Sequence, residues 1–385
     1  MTHFPTTPNA LSADWLSDVL GFTVENFEVT YFAEGIGILS MVTRLLLTTA
    51  PENPQSLIAK FPSPNATNRE ITRTYGMYAR EVMFYQDIAD KLEMRSPQCF
   101  YTAIDSATDD FVMLLEDLGH LPVGDQVTGC TLAEAKSVLS AAAALHASSW
   151  LATEFPNLIS HNNPAQCAGQ INGFQIGWPK VNAMFPELIP RSAQIASERM
   201  PHFVPKLLNE MCQDPICISH GDMRLDNIFF DGSECVFVDL QSVATSAPEQ
   251  DVAYFITQSV PPAVRAEADL VAYYHSELTK RGIDYDLARC RERYRVCALY
   301  LMCFAVSIAG ELDLQNERGQ TLGRTLLSNS LSALDELNAF ELLREAALLI
   351  HALGPRRLIL LPQFQVFFLQ AGLSASYILV DLGRI

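Results

Sequence analysis

The residues best suited to chemistry lie in one stretch. It reads Ile218-Ser219-His220-Gly221-Asp222-Met223-Arg224-Leu225-Asp226-Asn227-Ile228-Phe229-Phe230, followed by Val236-Phe237-Val238-Asp239-Leu240. Two apolar segments of β character flank a polar loop, and an Asp closes the next apolar segment. Asp222 and Asn227 stand in a D-x4-N spacing, and Asp239 arrives twelve residues after Asn227. A carboxylate so placed can accept or orient a hydroxyl proton. An amide oxygen and a second carboxylate suit Mg²⁺ held on nucleotide phosphates. A hairpin is a rigid platform for such ligands, which must be fixed relative to an attacking oxygen. Each residue also has a purely local use: a turn-capping Asp, an Asn in an Asx-turn, an Asp at a strand end.

Other segments must position this loop. Residues 11–20 predict a helix capped by Ser12. Val24 to Thr49 predicts a hairpin around the bend Glu34-Gly35-Ile36-Gly37, and Ser56 to Phe61 a strand stopped by Pro62. Residues 75–92 carry apolar side chains at helical spacing, and Phe111–Leu115 reads as a buried strand. The texture then changes. Thr131 and Glu134 form a capping box opening a helix, and further helices are predicted over 198–212, 262–281, 286–309 and 329–350. Residues 216–241 are a β-rich island among them, with turns at Gly221 and Asp231-Gly232.

The loop His220-Gly221-Asp222-Met223-Arg224-Leu225-Asp226-Asn227 and the later Val238-Asp239-Leu240-Gln241 resemble motifs of the protein-kinase-like superfamily. The closest likeness is to its small-molecule branch of aminoglycoside phosphotransferases, choline kinases and ecdysteroid-kinase-like (CHK) proteins. The supporting pieces follow in chain order from about residue 30 to residue 310. The resemblance implies an α+β, two-lobe protein-kinase-like fold, with a small antiparallel-sheet N-lobe (1–117) and a larger, mainly helical C-lobe (118–352). Residues 353–385 lie outside it.

It also implies ATP and Mg²⁺ as cofactors and γ-phosphoryl transfer to a hydroxyl of a small molecule. Asp222 would orient that hydroxyl, and Asn227 and Asp239 would hold the metal. Arg224 would steady the γ-phosphate, or else pair with Asp226. Lys60 would bind the α- and β-phosphates with Glu81 as its partner; the plainer reading is an edge-strand Lys and a solvated Glu. Glu116 and Leu118 belong to the hinge whose backbone would face adenine, although Glu116 and Asp117 also suit a strand end. Gly35, Gly37 and Ser40 would line a phosphate-facing bend, yet the bend is not a full G-x-G-x-x-G and reads equally as an ordinary hairpin turn. Asp251 is expected to brace the loop or cap a helix, His220 to organise the loop, and His146 and Trp150 to pack.

The acceptor is less defined. Phe174, Trp178 and Phe185 in the irregular stretch 160–190, with Glu311, Asp313 and Glu317, would suit a cation; core aromatics and a solvated acidic turn would look the same. An apolar alcohol such as a steroid stays open. The alternative function is a pseudokinase-like binding module without turnover. No G-x-S-x-G supports a hydrolase and no G-x4-G-K-[ST] a P-loop; the D-F-G and A-P-E of protein kinases are also missing.

Composition sets the outer bounds. In 385 residues, 49% are apolar and 18% charged, which excludes a mostly disordered chain. Acidic residues outnumber basic ones 44 to 26, for a net charge of −18, which disfavours nucleic acid as a partner. The nine cysteines show no C-x2-C spacing and read as reduced core residues. The N-terminal twenty residues lack the basic and apolar regions of a secretory leader, so a cytoplasmic location is expected. Val296–Ala309 is too short for a membrane span and reads as a buried helix. The uncharged stretch 358–380 is long enough to span, but its Pro, Gln and Ser residues dilute it.

Overall fold

Alternating apolar residues along Ser40–Thr49 and Ser56–Pro62 build the centre of a five-stranded antiparallel sheet of order β1-β2-β3-β5-β4. Its strands are β1 (Val24–Tyr31), β2 (Ser40–Thr49), β3 (Ser56–Pro62), β4 (Cys99–Asp105) and β5 (Asp110–Glu116). The computed structural model describes residues 4–32, 39–152, 155, 158–311 and 317–344. The bend holding Gly35 and Gly37 therefore lies outside the described residues, as does the stretch 358–380. Helix α1 (Ala13–Leu20) starts as expected at Ser12, whose Oγ accepts from Trp15 N, and ends at Gly21 in the left-handed region. It covers one face of the sheet, where Leu16, Leu45, Leu47, Leu57, Phe61 and Leu114 form a small core.

On the other face α3 (Met77–Met83), preceded by α2 (Ala66–Tyr75), packs Tyr78 and Val82 against Phe111, Met113 and Leu115. Here the structure departs from the helix expected over 75–92. Gly76, at φ 62°, ends α2 and begins α3, and the chain beyond Met83 loosens into a π turn and then a 3₁₀ turn. Neither α2 nor β4 is evident from apolar spacing, because α2 is largely exposed and β4 only half-buried.

The second lobe is mainly helical. It contains α4 (Leu132–Ser148), α5 (Pro164–Met184), α6 (Ala196–Met211), α7 (Glu249–Tyr254), α8 (Pro262–Arg265), α9 (Leu270–Lys280), α10 (Leu287–Glu311) and α11 (Glu317–Glu336). The Thr131–Glu134 capping box is formed. Three expectations need correction. The stretch 160–190 is not irregular: it is largely α5, capped by Asn163, with Pro164 at its first turn. Two of its glycines, Gly173 and Gly177, are contact points with α10. A Cβ on Gly177 would lie 2.6 Å from Val306 O, and one on Gly310 2.7 Å from Gly177 Cα. The helix expected over 262–281 is broken into α8 and α9, the second capped by Asp269. The helix expected over 329–350 is interrupted within its described part: α11 spans Glu317–Glu336 and stops before Asn338 in the left-handed region, and residues 345–350 lie outside the described residues.

Helix α10 is the axis of the larger core: its stretch from Cys297 to Cys303 is fully buried and uncharged on every side. By length and composition Leu287–Gly310 could cross a membrane, but 72% of its most apolar window is buried inside the protein. All nine cysteines are free. Two short ladders complete the lobe: β6 (Cys217–Ser219) with β9 (Ala244–Ser246), and β7 (Ile228–Asp231) with β8 (Glu234–Phe237).

Candidate active site

The polar loop runs from β6 to β7, and its shape is set by one glycine and one carboxylate. Gly221 has φ 83°, and a Cβ there would sit 2.3 Å from Ser242 O. Only glycine fits such a backbone and such a neighbour. Asp251, buried inside α7, accepts from His220 N (2.7 Å), Gly221 N (3.0 Å) and Ser219 Oγ (2.8 Å). It braces the loop and does not cap a helix. Burial opposes its charge, but His146 and these donors hold its carboxyl below the usual range. His146 is more than packing, since its ring bridges Asp251 (3.2 Å) and Tyr274 Oη (2.7 Å) with no exposure. Trp150 does pack, edge-on against Tyr285.

His220 organises the loop as expected. Its Nδ1 accepts from Asp222 N (3.2 Å), so Nε2 carries the proton donated to Val238 O (3.0 Å). Asn227 Nδ2 donates to Asp222 O (3.0 Å) and Oδ2 (2.9 Å), which orients the Asp222 carboxylate. Gln126, which no sequence pattern singles out, ties down the far side. Its N–H reaches Asp226 Oδ1 (3.0 Å) and its Oε1 accepts from Leu225 N (3.1 Å). Tyr254 is a second addition. Its buried phenol lies beside Asp222, and burial together with that carboxylate raises its pKa well above the ordinary value.

Residues far apart in sequence meet above this loop. Lys60, on β3 between Val42 of β2 and Met113 of β5, reaches both Glu81 carboxylate oxygens at 2.7 Å. The same ammonium lies 3.1 Å from Asp239 Oδ1. Lys60 and Glu81 are almost wholly buried, so this is an interior pair and not an edge-strand Lys with a solvated Glu. Burial works against the Lys60 charge, but the two carboxylates raise its pKa and keep it cationic. Burial raises the Glu81 pKa despite the ammonium. Asp239 is also opposed by burial, yet Lys60 and then Arg224 hold it below the usual carboxylate range. Its backbone is left-handed, φ 65° and ψ 60°, a conformation that costs about 1–2 kcal/mol for a residue with a Cβ. The neighbouring Val238 N donates to Asn227 O (3.0 Å), so Asp239 and Asn227 belong to one platform.

Arg224 stands over the loop, 3.5 Å from Asp222 and 3.8 Å from Asp226, so it pairs with both acids. Ser40 opens β2 and is buried. Glu116 ends β5, its carboxylate accepting from Gln98 N (3.1 Å). Leu118 is buried just beyond, its carbonyl accepting from Leu121 N (2.8 Å). Asp117 between them is clamped by Arg44 at 2.7 and 3.1 Å. The proposed acceptor aromatics are core residues: Phe174 and Trp178 stack at 5.3 Å and are buried, as is Phe185. Glu311 ends α10 and Glu317 starts α11, while Asp313 lies outside the described residues.

The donor set fits Mg²⁺. Asp239 offers a carboxylate, and Asn227 keeps its amide oxygen while its Nδ2 is used on Asp222. Among the described residues no group of three or more His, Cys, Asp or Glu is arranged around a metal position. Mg²⁺ is commonly held in just this way, by one or two protein oxygens with phosphate and water supplying the rest.

A five-stranded sheet with a Lys–Glu pair, set over a helical lobe whose loop carries Asp, Asn and a further Asp, is the two-lobe protein-kinase-like architecture. Solved structures share it. A microcompartment-associated aminopropanol kinase aligns at 12% identity with a TM-score of 0.51, over 85% of this chain and 98% of that one. A Ralstonia eutropha JMP134 protein assigned as an aminoglycoside phosphotransferase aligns at 14% identity and TM-score 0.50, over 85% and 97%. No curated protein sequence matches. The ecdysteroid kinase-like family model matches residues 35–284, and the chain belongs to that family.

Proposed function

We propose that this protein is an ATP-dependent phosphotransferase that moves the γ-phosphoryl group to a hydroxyl of a small molecule. The observation that carries the reading is the convergence of Lys60, Glu81 and Asp239 above the Asp222–Asn227 loop. Lys60, fixed by Glu81, presents its ammonium to the α- and β-phosphates. Asn227 and Asp239 would hold Mg²⁺, which when bound neutralises charge on the transferring group. Asp222, oriented by Asn227, accepts the hydrogen bond of the acceptor hydroxyl and takes its proton as the oxygen attacks the γ-phosphorus, while the bond from that phosphorus to the β,γ-bridging oxygen breaks and ADP leaves. Arg224 balances the Asp222 charge beside the phosphoryl path.

The test is Asp222→Asn. ATP consumption with a responsive alcohol should fall about 10²–10⁴-fold, the usual contribution of a general base. ATP-dependent thermal stabilisation should stay. Unchanged turnover in the variant would sink the mechanism.

A further inference from the structure

One cation near this site has no carboxylate beside it. Arg80 precedes Glu81 on α3, and its Nη1 reaches only the carbonyls of Ser242 (3.3 Å) and Val243 (3.4 Å). Its Nε is buried with no partner, and among the described residues no acid pairs with it. Burial alone lowers its pKa to about 10. Buried charges in folded proteins are normally paired, and a buried polar atom left alone asks for an explanation.

Arg80 is half-buried; three further side chains, Gln241 and His161 at the segment 241–245 and Gln170 on α5, are buried and each holds a polar atom without a partner. Gln241 donates its Nε2 to Asp239 Oδ2 (3.2 Å), while its Oε1 is buried and unpartnered. His161 hangs from this segment through its N–H to Thr245 O (2.9 Å); it is 5% exposed, and its Nε2 has no partner. Its ring packs edge-on against Tyr300, whose Oη accepts from Gln166 of α5. One turn along α5, Gln170 is 9% exposed with an orphaned Oε1. Burial, then the Arg80 charge, lowers His161 to about 4, only partly offset by Asp251. A cation, a neutral imidazole and an amide oxygen thus border the chain just after Asp239, and Gln170 adds a second orphaned amide oxygen one turn along α5 from the Gln166–Tyr300–His161 contact.

We infer that this cluster is the acceptor subsite, and that it takes an anionic group, the carboxylate of a hydroxy acid, on the Arg80 guanidinium. The Gln241 and Gln170 oxygens would accept from the acceptor's hydroxyls. Gln241 joins the two functions, since its other amide end rests on the carboxylate assigned to the metal. This deepens the phosphotransferase reading and rests on it for the identity of the ligand. It also replaces the cation-binding acceptor wall expected from Phe174, Trp178 and Phe185.

The test has two arms. In the first, sodium acetate is compared with sodium chloride at equal ionic strength, and the His161 ring is followed by NMR, with His161→Asn for assignment. Acetate should raise the His161 midpoint by about one unit or more in wild type, as a nearby opposite charge does. The effect should be lost in Arg80→Gln and kept in part in Arg80→Lys. The same response in wild type and Arg80→Gln, or none in wild type, overturns the anion site. In the second arm, ATP consumption is screened with hydroxy acids against their matched neutral and amino alcohols. Turnover should be confined to the acids, with KM raised roughly 10–100-fold in Arg80→Gln for a lost charged hydrogen bond. Turnover of neutral or amino alcohols, with KM unchanged in Arg80→Gln, overturns the acceptor assignment. Failure of ATP with Mg²⁺ to bind wild type would instead refute the phosphotransferase reading, with the acetate response still judged on its own.

Discussion

Replacing Lys60 by methionine removes the cation that two carboxylates share. Glu81 is 1% exposed at its side chain and Lys60 8%, and both Glu81 oxygens are bonded at 2.7 Å. Water screens this pair little, so the scale is that of a broken buried pair, about 3–5 kcal/mol, not the 0–1 kcal/mol of a surface bridge. The link to Asp239 is longer, at 3.1 Å, and Asp239 is 27% exposed, so it adds less. The variant also has a pH signature. Glu81, already raised by burial, is raised further once the ammonium is gone. Between the unfolded Glu value near 4.3 and that raised value, the folded variant holds one proton more than the unfolded chain. Its stability therefore rises on acidification, and its deficit against wild type shrinks by up to about 1.4 kcal/mol per pH unit between the raised wild-type Glu81 value and the still higher value of the variant. Urea denaturation of both proteins at several pH values between 5 and 8 reads this directly. Lys60→Met/Glu81→Leu should recover most of the loss, because no charge is left buried alone. A deficit below about 1 kcal/mol, constant with pH and unrelieved in the double variant, would refute the reasoning.

Three other perturbations probe the same architecture. Asp239→Asn should abolish the Mg²⁺-dependent part of the ATP thermal shift, which for wild type at 100 times the dissociation constant corresponds to about 2.7 kcal/mol; a shift equal to wild type would remove Asp239 from the metal site. Asp251→Asn replaces an acceptor of four hydrogen bonds and should cost about 3 kcal/mol by urea denaturation. Because the Asp251 pKa is depressed, the stability it contributes is present above its unfolded value near 3.9 and is lost as pH falls through the folded value. The wild-type advantage over Asp251→Asn should therefore shrink below about pH 4, and an advantage constant down to pH 2 would contradict this. Gly221→Ala should cost about 1–3 kcal/mol and lower turnover by displacing the loop from Ser242; a silent substitution would show that the close approach is not required.

The chemistry-bearing residues were legible because their types and spacing are constrained together. The Asp222, Asn227 and Asp239 pattern came from the chain itself and the pairing of Lys60 with Glu81 from the family resemblance, and the structure brings them into one site. The strands and caps that hold them were legible for the same reason: Ser12 and Thr131–Glu134 are local hydrogen-bonding devices. What escaped was non-local. Gly173 and Gly177 of α5 look like breakers until α10 is seen pressed against them. Gln126, Tyr254 and Arg80 matter only through partners 32 to 162 positions away, such as Leu225, Asp222 and Ser242, and no periodicity encodes that. The aromatic trio stayed open between two readings, because a buried stack and a ligand wall share one composition, and burial decides for the core.

The left-handed backbone at Asp239 bears on how such a chain can lose activity. Asn and Gly tolerate that conformation better than most residues, and Asn lies one base change from Asp. A lineage drifting from catalysis toward a scaffolding role can therefore discard the charge at 239 without disturbing the hairpin, whereas most other substitutions there threaten the fold before they silence the chemistry. Descendants that have turned silent but kept their shape should carry Asn or Gly at this position, which makes it a marker for sorting working relatives from retired ones.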